Sequence, residues 1–395
     1  MNIHPIFLQF QEIIGGSIPG WVWHRSPGWI GDHVPVFTFH TVKPDAFESQ
    51  LRFLKENGYQ TLTSEEHLQY VLKGKKNREK AVMLTFDDGR KSVWSVAGPL
   101  LKRYHMQATV FLSPGIMNNT ETLSPKLDDP ETRGKDTCAV YTCDQSDMPT
   151  LSWKEIRILH EERIIDFQCH SYAHQRIPVS PKVTGYVSPE MIRSHFFKFG
   201  IPYYPGILPM QSDPNKYLGA PVYESAPSLS GRRMYLEGEL RMACIEYVRN
   251  HGGIQFFSRS GWQDELNRIA GKYSRKGSGN KYESDRDQKK RMTTELIKAR
   301  QMIESHLPGH RVQHLAYPWG TGSDLAIHSS REAGYQSNYW SALPHRSCNR
   351  PGSDPFHLVR LKHDFIWRLP GEGRRSLKDL FLFKLKRRAS GKIDY

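Results

Sequence analysis

Residues Ala81 to Gly89 read Ala-Val-Met-Leu-Thr-Phe-Asp-Asp-Gly. An uncharged, mostly apolar run stops abruptly at two adjacent carboxylates and a glycine. A short apolar run bounded by a turn signal is the pattern of a buried strand. It sets Asp87 and Asp88 where that strand leaves the core. In α/β folds the C-terminal strand ends are where chemistry collects. Two carboxylates side by side repel each other, so a cation beside them is expected. The plainer reading is a strand followed by an ordinary Asp-Gly turn. The rest of the chain decides between the two.

Outward from this stretch, strand and helix patterns alternate. Val34–His40 reads as a strand that ends beside His40. Asp45–Gly58 carries Phe47, Leu51 and Leu54 at helical spacing, with Gly58 as its cap. Ser64 is placed as the N-cap of a helix running to Lys73, with Glu65 and Glu66 in its first turn. Ser92–Tyr104 predicts a helix and Ala108–Leu112 a strand. Ser152 and Glu155 form a capping-box pattern for a helix over Trp153–Glu162. Ile164–His170 is the next strand, with Asp166, Gln168 and His170 on one face. Val312–Gly320 is a strand running into Tyr-Pro-Trp-Gly, and Ser323 caps a helix to Ala333. Tyr335–Trp340 and His357–Phe365 read as the last strands. The alternation predicts an α/β fold, either a parallel β/α barrel or an open parallel sheet.

Several segments break the pattern. Met1–Asp32 is apolar and aromatic and reads as a cap, residues 1–33, packed irregularly on the body. From Ile177 to Ser230 prolines recur, which excludes regular helix and central strand. That stretch opens a long Pro-rich insertion, residues 177–292, lying over the body. Inside it Tyr235–Asn250 is expected to be helical, and Gly271–Arg291, rich in Gly, Ser, Lys and Asp, to be mobile. Thr294–Leu307 is a helix again. Residues 369–395 form a basic C-terminal tail. Within it Leu377–Lys386 interleaves apolar and basic residues, as a docked terminal helix or a basic amphipathic anchor would.

The chain has 395 residues, with Lys plus Arg 55 against Asp plus Glu 41, a net charge of +14. That favours anionic partners. No zinc-finger spacing or aromatic-basic RNA signature is present, so nucleic acid is not expected as a partner. The 5 cysteines are an odd, sparse set, which argues against a disulfide scaffold. Cys138 and Cys143 lie close enough to pair or to share a metal. No secretory signal pattern and no apolar run of membrane-spanning length occur. The expected location is cytoplasmic, with peripheral membrane contact through the basic tail.

The polar residues at the strand ends form a constellation. Asp87 and Asp88 end one strand, and His170 and His174 flank the end of another. Tyr317, Pro318, Trp319 and Gly320 end a third, and His40 the first. Two imidazoles and one carboxylate make a three-ligand metal site with an open position for water and substrate. A second carboxylate that is not a ligand can take a proton from that water. This reading gives the two aspartates different work.

Thr85-Phe86-Asp87-Asp88-Gly89 and His170-Ser171-Tyr172-Ala173-His174 resemble the first two motifs of the polysaccharide deacetylases, carbohydrate esterase family 4. Ala316-Tyr317-Pro318-Trp319-Gly320 is similar to the third. The lead-in Val36–His40, with Phe47–Tyr59 after it, is similar to the branch that acts on poly-N-acetylglucosamine-type glycans. The resemblance covers roughly Val34–Leu112, Ser152–His174 and Thr294–Phe365. It implies a deformed (β/α) barrel, with residues 34–176 and 293–368 as the catalytic domain, and hydrolysis of an N-acetyl group. It further implies Asp88, His170 and His174 as ligands of a divalent metal, with zinc the first candidate and nickel, cobalt or iron as others. Asp87 is then the general base on the water. The backbone N–H of Trp319 stabilises the oxyanion. The third motif usually begins with an Arg that pairs with the base, and here Ala316 stands in its place. Asp87 is therefore expected to lack that partner. His40 is placed as the general acid ahead of its rival His363.

The expected function is removal of acetyl from an N-acetylated sugar or glycan. A lipid-linked or nucleotide-linked intermediate would suit the positive charge. The alternatives are hydrolysis of a non-sugar amide, a formamide or cyclic ureide, and a catalytically inactive glycan-binding protein.

Overall fold

The computed structural model describes residues 18–25, 28, 30–74, 79–130, 150–193, 213–236, 238–274, 281–341, 343–380 and 382. Cys138, Cys143, residues 1–17 of the expected cap and most of the basic tail lie outside them. The chain divides into two compact units. One holds Met1–Ser171, Ala299–Gly320 and Gly334–Tyr395, the other Tyr172–Lys298 and Thr321–Ala333.

The first unit is built on parallel strands. In chain order these are β1 Val36–Phe39, β2 Gln60–Thr61, β3 Ala81–Asp87, β4 Ala108–Leu112 and β5 Ile165–Cys169. The second unit contributes β6 Arg176–Tyr186 and β7 Pro221–Pro227 to a sheet of its own. The first unit then continues with β8 His314–Ala316, β9 Ser337–Trp340, β10 Leu358–Val359 and β11 Leu361–Lys362. Its strands follow the order β10-β9-β8-β5-β4-β3-β1-β11, with β2 paired to the start of β3. Every pairing in this sheet is parallel. Only Arg360 separates β10 from β11. The two ends of the row are thus one stretch of chain, and the sheet is a nearly closed barrel, deformed where it meets itself. The Arg360 N–H donates to the Trp340 carbonyl at 2.9 Å, which carries the β9–β10 pairing up to the seam. The expected single strand over His357–Phe365 is broken for this reason: β10 pairs with β9 and β11 with β1, and a 3-10 turn, His363–Arg368, follows.

The sequence explains the strand-to-helix returns. All seven residues of β3 and all five of β4 are buried. Parallel strands covered on both faces carry apolar runs rather than alternation. The helix Pro44–Glu56 opens on a proline, whose fixed φ suits the first turn. It buries Phe47, Leu51 and Leu54, as the spacing predicts. The helix Ser64–Lys73 is capped by Thr63, not by Ser64. The Thr63 hydroxyl accepts from the Glu66 N–H and the Glu66 carboxylate accepts from the Thr63 N–H. The Ser64 hydroxyl is instead turned inward and donates to Asp166. The helix expected from Ser92 starts with a wide π turn, Val93–Ala97, before Gly98–Tyr104. The box at Ser152 and Glu155 forms as its pattern predicts.

Glu155 has a second task. Its Oε2 lies 2.6 Å from Lys91 Nζ, and the two side chains are 0% and 4% exposed. Its Oε1 accepts from the Ser124 N–H at 3.1 Å. Lys91 follows Asp88 by three residues, so this pair fixes the loop leaving β3 to the helix Trp153–Glu161. Breaking a buried ion pair from one side strands the other charge. Lys91→Met is expected to cost about 3–5 kcal/mol of stability, read as a lower denaturation midpoint at unchanged slope.

The second unit explains how so many prolines are housed. β6 and β7 form an antiparallel pair in which each strand has an edge, and register shifts fall between Pro178 and Val183 and between Val183 and Gly185. Proline is tolerated at edges and bulges because no ladder N–H is needed there. A core of Tyr186, Leu218, Cys244, Val248, Phe256 and Leu266 joins this sheet to the helices Gly238–Asn250 and Trp262–Ser274. The expectation of a mobile Gly271–Arg291 is corrected on its described residues. Trp262–Ser274 is helical, and a further helix, Asp285–His306, begins nine residues before the expected Thr294. Ser284 caps it: its hydroxyl accepts from the Asp287 N–H at 3.1 Å. The polar composition there is that of a solvated helix face. Among the described residues no helix is long and apolar enough to cross a membrane.

Candidate active site and metal centre

Three turns carry the polar constellation, and all three hold strained backbone. Among the described residues seven non-glycine positions have positive φ, and four of them are Asp88 (70°), Ser171 (64°), His174 (51°) and Trp319 (61°). Such conformations cost roughly 1–3 kcal/mol each and persist only where the surroundings over-determine them. Gly89 follows Asp88 with φ 68°, and a Cβ there would come 2.7 Å from Leu112 Cδ2. A second side chain at the tip of β3 has no room.

Asp87 ends β3 and is gripped by Arg360. Nη1 donates to Oδ1 at 2.6 Å and Nη2 to Oδ2 at 2.9 Å, a bidentate pair. The two side chains are 1% and 4% exposed. The expectation that Asp87 lacks an arginine partner, drawn from Ala316, is therefore corrected. The guanidinium comes from the seam of the barrel instead. Ala316 has another use: its carbonyl accepts from His170 Nδ1 at 2.8 Å. Burial would raise the Asp87 carboxyl, but the Arg360 charge, His170 and the Arg360 hydrogen bonds outweigh it and hold the group below its ordinary range. Asp87 is an anion at neutral pH.

Asp88 is held differently. Arg90 Nε donates to Oδ2 at 3.0 Å, and Nη2 forms an ion pair with the same oxygen at 2.9 Å. Oδ1 lies 3.6 Å from His170 Nε2. One oxygen is anchored and the other faces the imidazole. A carbonyl can only accept, so His170 Nδ1 carries the proton and Nε2 presents its lone pair. A histidine whose other nitrogen donates to a carbonyl is oriented as metal-ligating histidines are. Asp88, His170 and His174 each offer one ligand atom, and these atoms lie within 4.8 Å of one another. This is the only such group of three among the described residues. The donor set and the fixed tautomer fit a divalent cation.

The other residues named from the sequence fall as follows. His40 Nε2 lies 4.0 Å from Asp87 Oδ2, with 31% of its side chain exposed and so reachable from solvent. Burial lowers the His40 imidazole from its ordinary range, and Asp88 and Asp87 oppose this only in part. His363 does not join this cluster. Its ring stacks on Phe39 at 4.9 Å, on the other face of β1, and its Nδ1 meets Gln50 Nε2 at 3.1 Å. Trp319 lies in the turn after β8, three residues past the carbonyl that holds His170. Sequence reasoning missed both arginines. Arg90 left no periodic signal. Arg360 left one, a lone charge inside the apolar run Leu358-Val359-Arg360-Leu361.

Residues 74–196 match the polysaccharide deacetylase family model. The match takes in Asp87, Asp88, His170 and His174 and stops short of His40, Trp319 and Arg360. A poly-β-1,6-N-acetyl-D-glucosamine N-deacetylase of Staphylococcus epidermidis is 27% identical over 133 residues, 34% of this chain and 38% of that one. A protein of the same name from Staphylococcus aureus is 37% identical over 76 residues, 19% of this chain and 26% of that one. The chain thus spans well under half the length of either relative. Among solved structures, a de-N-acetylase from Aggregatibacter actinomycetemcomitans aligns with a TM-score of 0.50 at 16% identity, covering 89% of this chain and 100% of that one. That likeness is one of fold.

Proposed function

With a polysaccharide deacetylase domain in the chain, we propose that this protein is a divalent-metal-dependent hydrolase that removes the N-acetyl group from an N-acetylated glycan. The observation that carries the reading is the unequal treatment of the two aspartates. Arg360 occupies both oxygens of Asp87, whereas Arg90 occupies one oxygen of Asp88. Asp88 Oδ1 faces His170 Nε2 and converges with His174 on one point where a cation would sit, and Asp87 remains a charged base.

The reaction consumes one water, breaks the amide C–N bond, forms a C–O bond, and yields acetate and a free amine. Asp88, His170 and His174 would hold the cation, which supplies Lewis acidity toward the acetyl carbonyl and the water. Asp87 takes the proton of the attacking water, and Arg360 keeps it ionised for that task. The Trp319 backbone N–H donates to the oxygen on which charge develops. His40, whose Nε2 lies 4.0 Å from Asp87 Oδ2, receives the proton that Asp87 has taken and passes it to the departing nitrogen. Zinc suits two imidazoles and a carboxylate, although nickel, cobalt and iron are held by similar sets.

The net charge of +14 favours a substrate whose carrier is anionic, such as a lipid-linked N-acetylhexosamine. The test is acetate release from N-acetylglucosamine oligomers and from a lipid-linked N-acetylhexosamine, with mass spectrometry following loss of one acetyl group. The reading expects acetate from metal-loaded protein, none after chelation, and recovery on adding metal back. Release from neither substrate by metal-loaded protein would remove it, and activity on free polymer alone would remove the lipid-linked form.

A further inference from the structure

The turn that carries His174 is gripped by the helix Asp285–His306. Gln288, Arg291, Glu295 and Lys298 recur at three- and four-residue steps, so they share one helix face. The Glu295 carboxylate accepts from the Ser228 hydroxyl at 2.5 Å and from the backbone N–H of Tyr172. Lys298 Nζ lies 3.9 Å from the centre of the Tyr172 ring. Arg291 Nη1 donates to the Ser228 carbonyl at 2.7 Å and to its hydroxyl at 3.0 Å, and Arg291 is itself paired with Glu283. The Ser228 N–H donates to the Gln175 carbonyl at 2.9 Å. Tyr172 and Gln175 bracket His174.

We propose that Glu295 and Lys298 are positioning residues for the metal centre, holding the His174 turn through Tyr172 directly and through Gln175 by way of Ser228. This assigns a purpose to a helix that lies outside every motif of the site. The physical need is visible in the turn. Ser171 and His174 both have positive φ, and a backbone of that kind relaxes unless its neighbours pin it. A carboxylate receiving a backbone N–H is a strong, directional pin. A lysine over a tyrosine face adds a second hold on the same residue. Outer partners of this sort change metal affinity about 10–100-fold when removed.

The proposal rests on the reading of His174 as a ligand, and its test keeps the two apart. Zn2+ affinity is measured by chelator competition for the full-length wild type, Glu295→Leu, Glu295→Gln, Lys298→Met and Ser228→Ala, with far-UV circular dichroism and unfolding midpoints alongside. Glu295→Leu is expected to bind Zn2+ about 10–100-fold more weakly. Glu295→Gln, whose amide oxygen still accepts the Tyr172 N–H, recovers most of that loss. Turnover at saturating metal stays near wild type, with more metal needed to reach it. A merely structural role would lower the unfolding midpoint and leave Zn2+ affinity of the folded variants unchanged, and that result overturns the proposal. Should Glu295→Leu not fold, wild-type affinity in both Lys298→Met and Ser228→Ala overturns it equally. A wild type that binds no Zn2+ contradicts the metal site itself.

Discussion

Asp87→Asn lowers acetate release by about 10²–10⁴-fold while bound metal stays at the wild-type ratio. Asparagine keeps the shape of the side chain and one acceptor oxygen for Arg360, but its amide N–H2 meets the second guanidinium donor and leaves that buried charge unpaired, so the comparison is made on folded protein with unfolding midpoints read alongside. It cannot accept the proton of the attacking water. The split between activity and metal content carries the information. Asp87 Oδ2 lies 3.8 Å from His170 Nε2, close to the 3.6 Å of Asp88 Oδ1. Proximity alone therefore does not tell base from ligand. The arginines differ between them: one buried guanidinium bridges both oxygens of Asp87, whereas Arg90 holds Oδ2 of Asp88, whose Oδ1 faces His170. Loss of metal together with activity would mean that the roles of the two aspartates are the reverse.

Arg360→Met produces the second large effect, and it has two parts. Burial of Asp87 then acts unopposed by the guanidinium, and the carboxyl rises from its depressed value. A base works only when ionised, so the acid limb of the kcat/KM profile moves to higher pH. The sign is fixed by the structure: removing a cation beside a carboxylate can only raise it. The variant also leaves a buried anion unpaired at the point where the barrel closes, which costs about 3–5 kcal/mol of stability. Arg360→Lys retains the charge and loses the fork. It should move the limb less than Met does while still weakening the seam. An acid limb that stays in place in both variants, measured on folded protein, would separate Arg360 from the base.

Much of this architecture was legible because it is written locally. Asp87 and Asp88 announce themselves by ending an apolar strand, and His170 and His174 by their spacing after another. Ser152 and Glu155 form their box within one helical turn. What the sequence concealed is what long-range pairing decides. Ser64 and Thr63 are equally good caps by composition. Thr63 takes the position because the Ser64 hydroxyl is drawn inward to Asp166, 102 residues away. The first turns of the helix Asp285–His306 fall in the Gly271–Arg291 stretch whose polar composition predicts mobility, and they are ordered by Arg291 and Glu283 and by contacts to residues 228–231. Arg360 is 273 residues from Asp87. Nothing in the third motif points to it. The pairing follows from barrel closure, which returns the last strand to the side of β1 and β3.

On the proposed chemistry Asp88, His170 and His174 together bind a single divalent ion, and Asp87 does not. Metal-to-protein ratios after Zn2+ loading and extensive dialysis test it most directly, compared across the wild type, Asp87→Asn, Asp88→Ala, His170→Ala and His174→Ala. About one ion per chain is expected in the first two and well under half of that in the other three, as for a three-ligand site stripped of a donor. A wild type that retains no ion, or full retention in Asp88→Ala and His174→Ala, would contradict it.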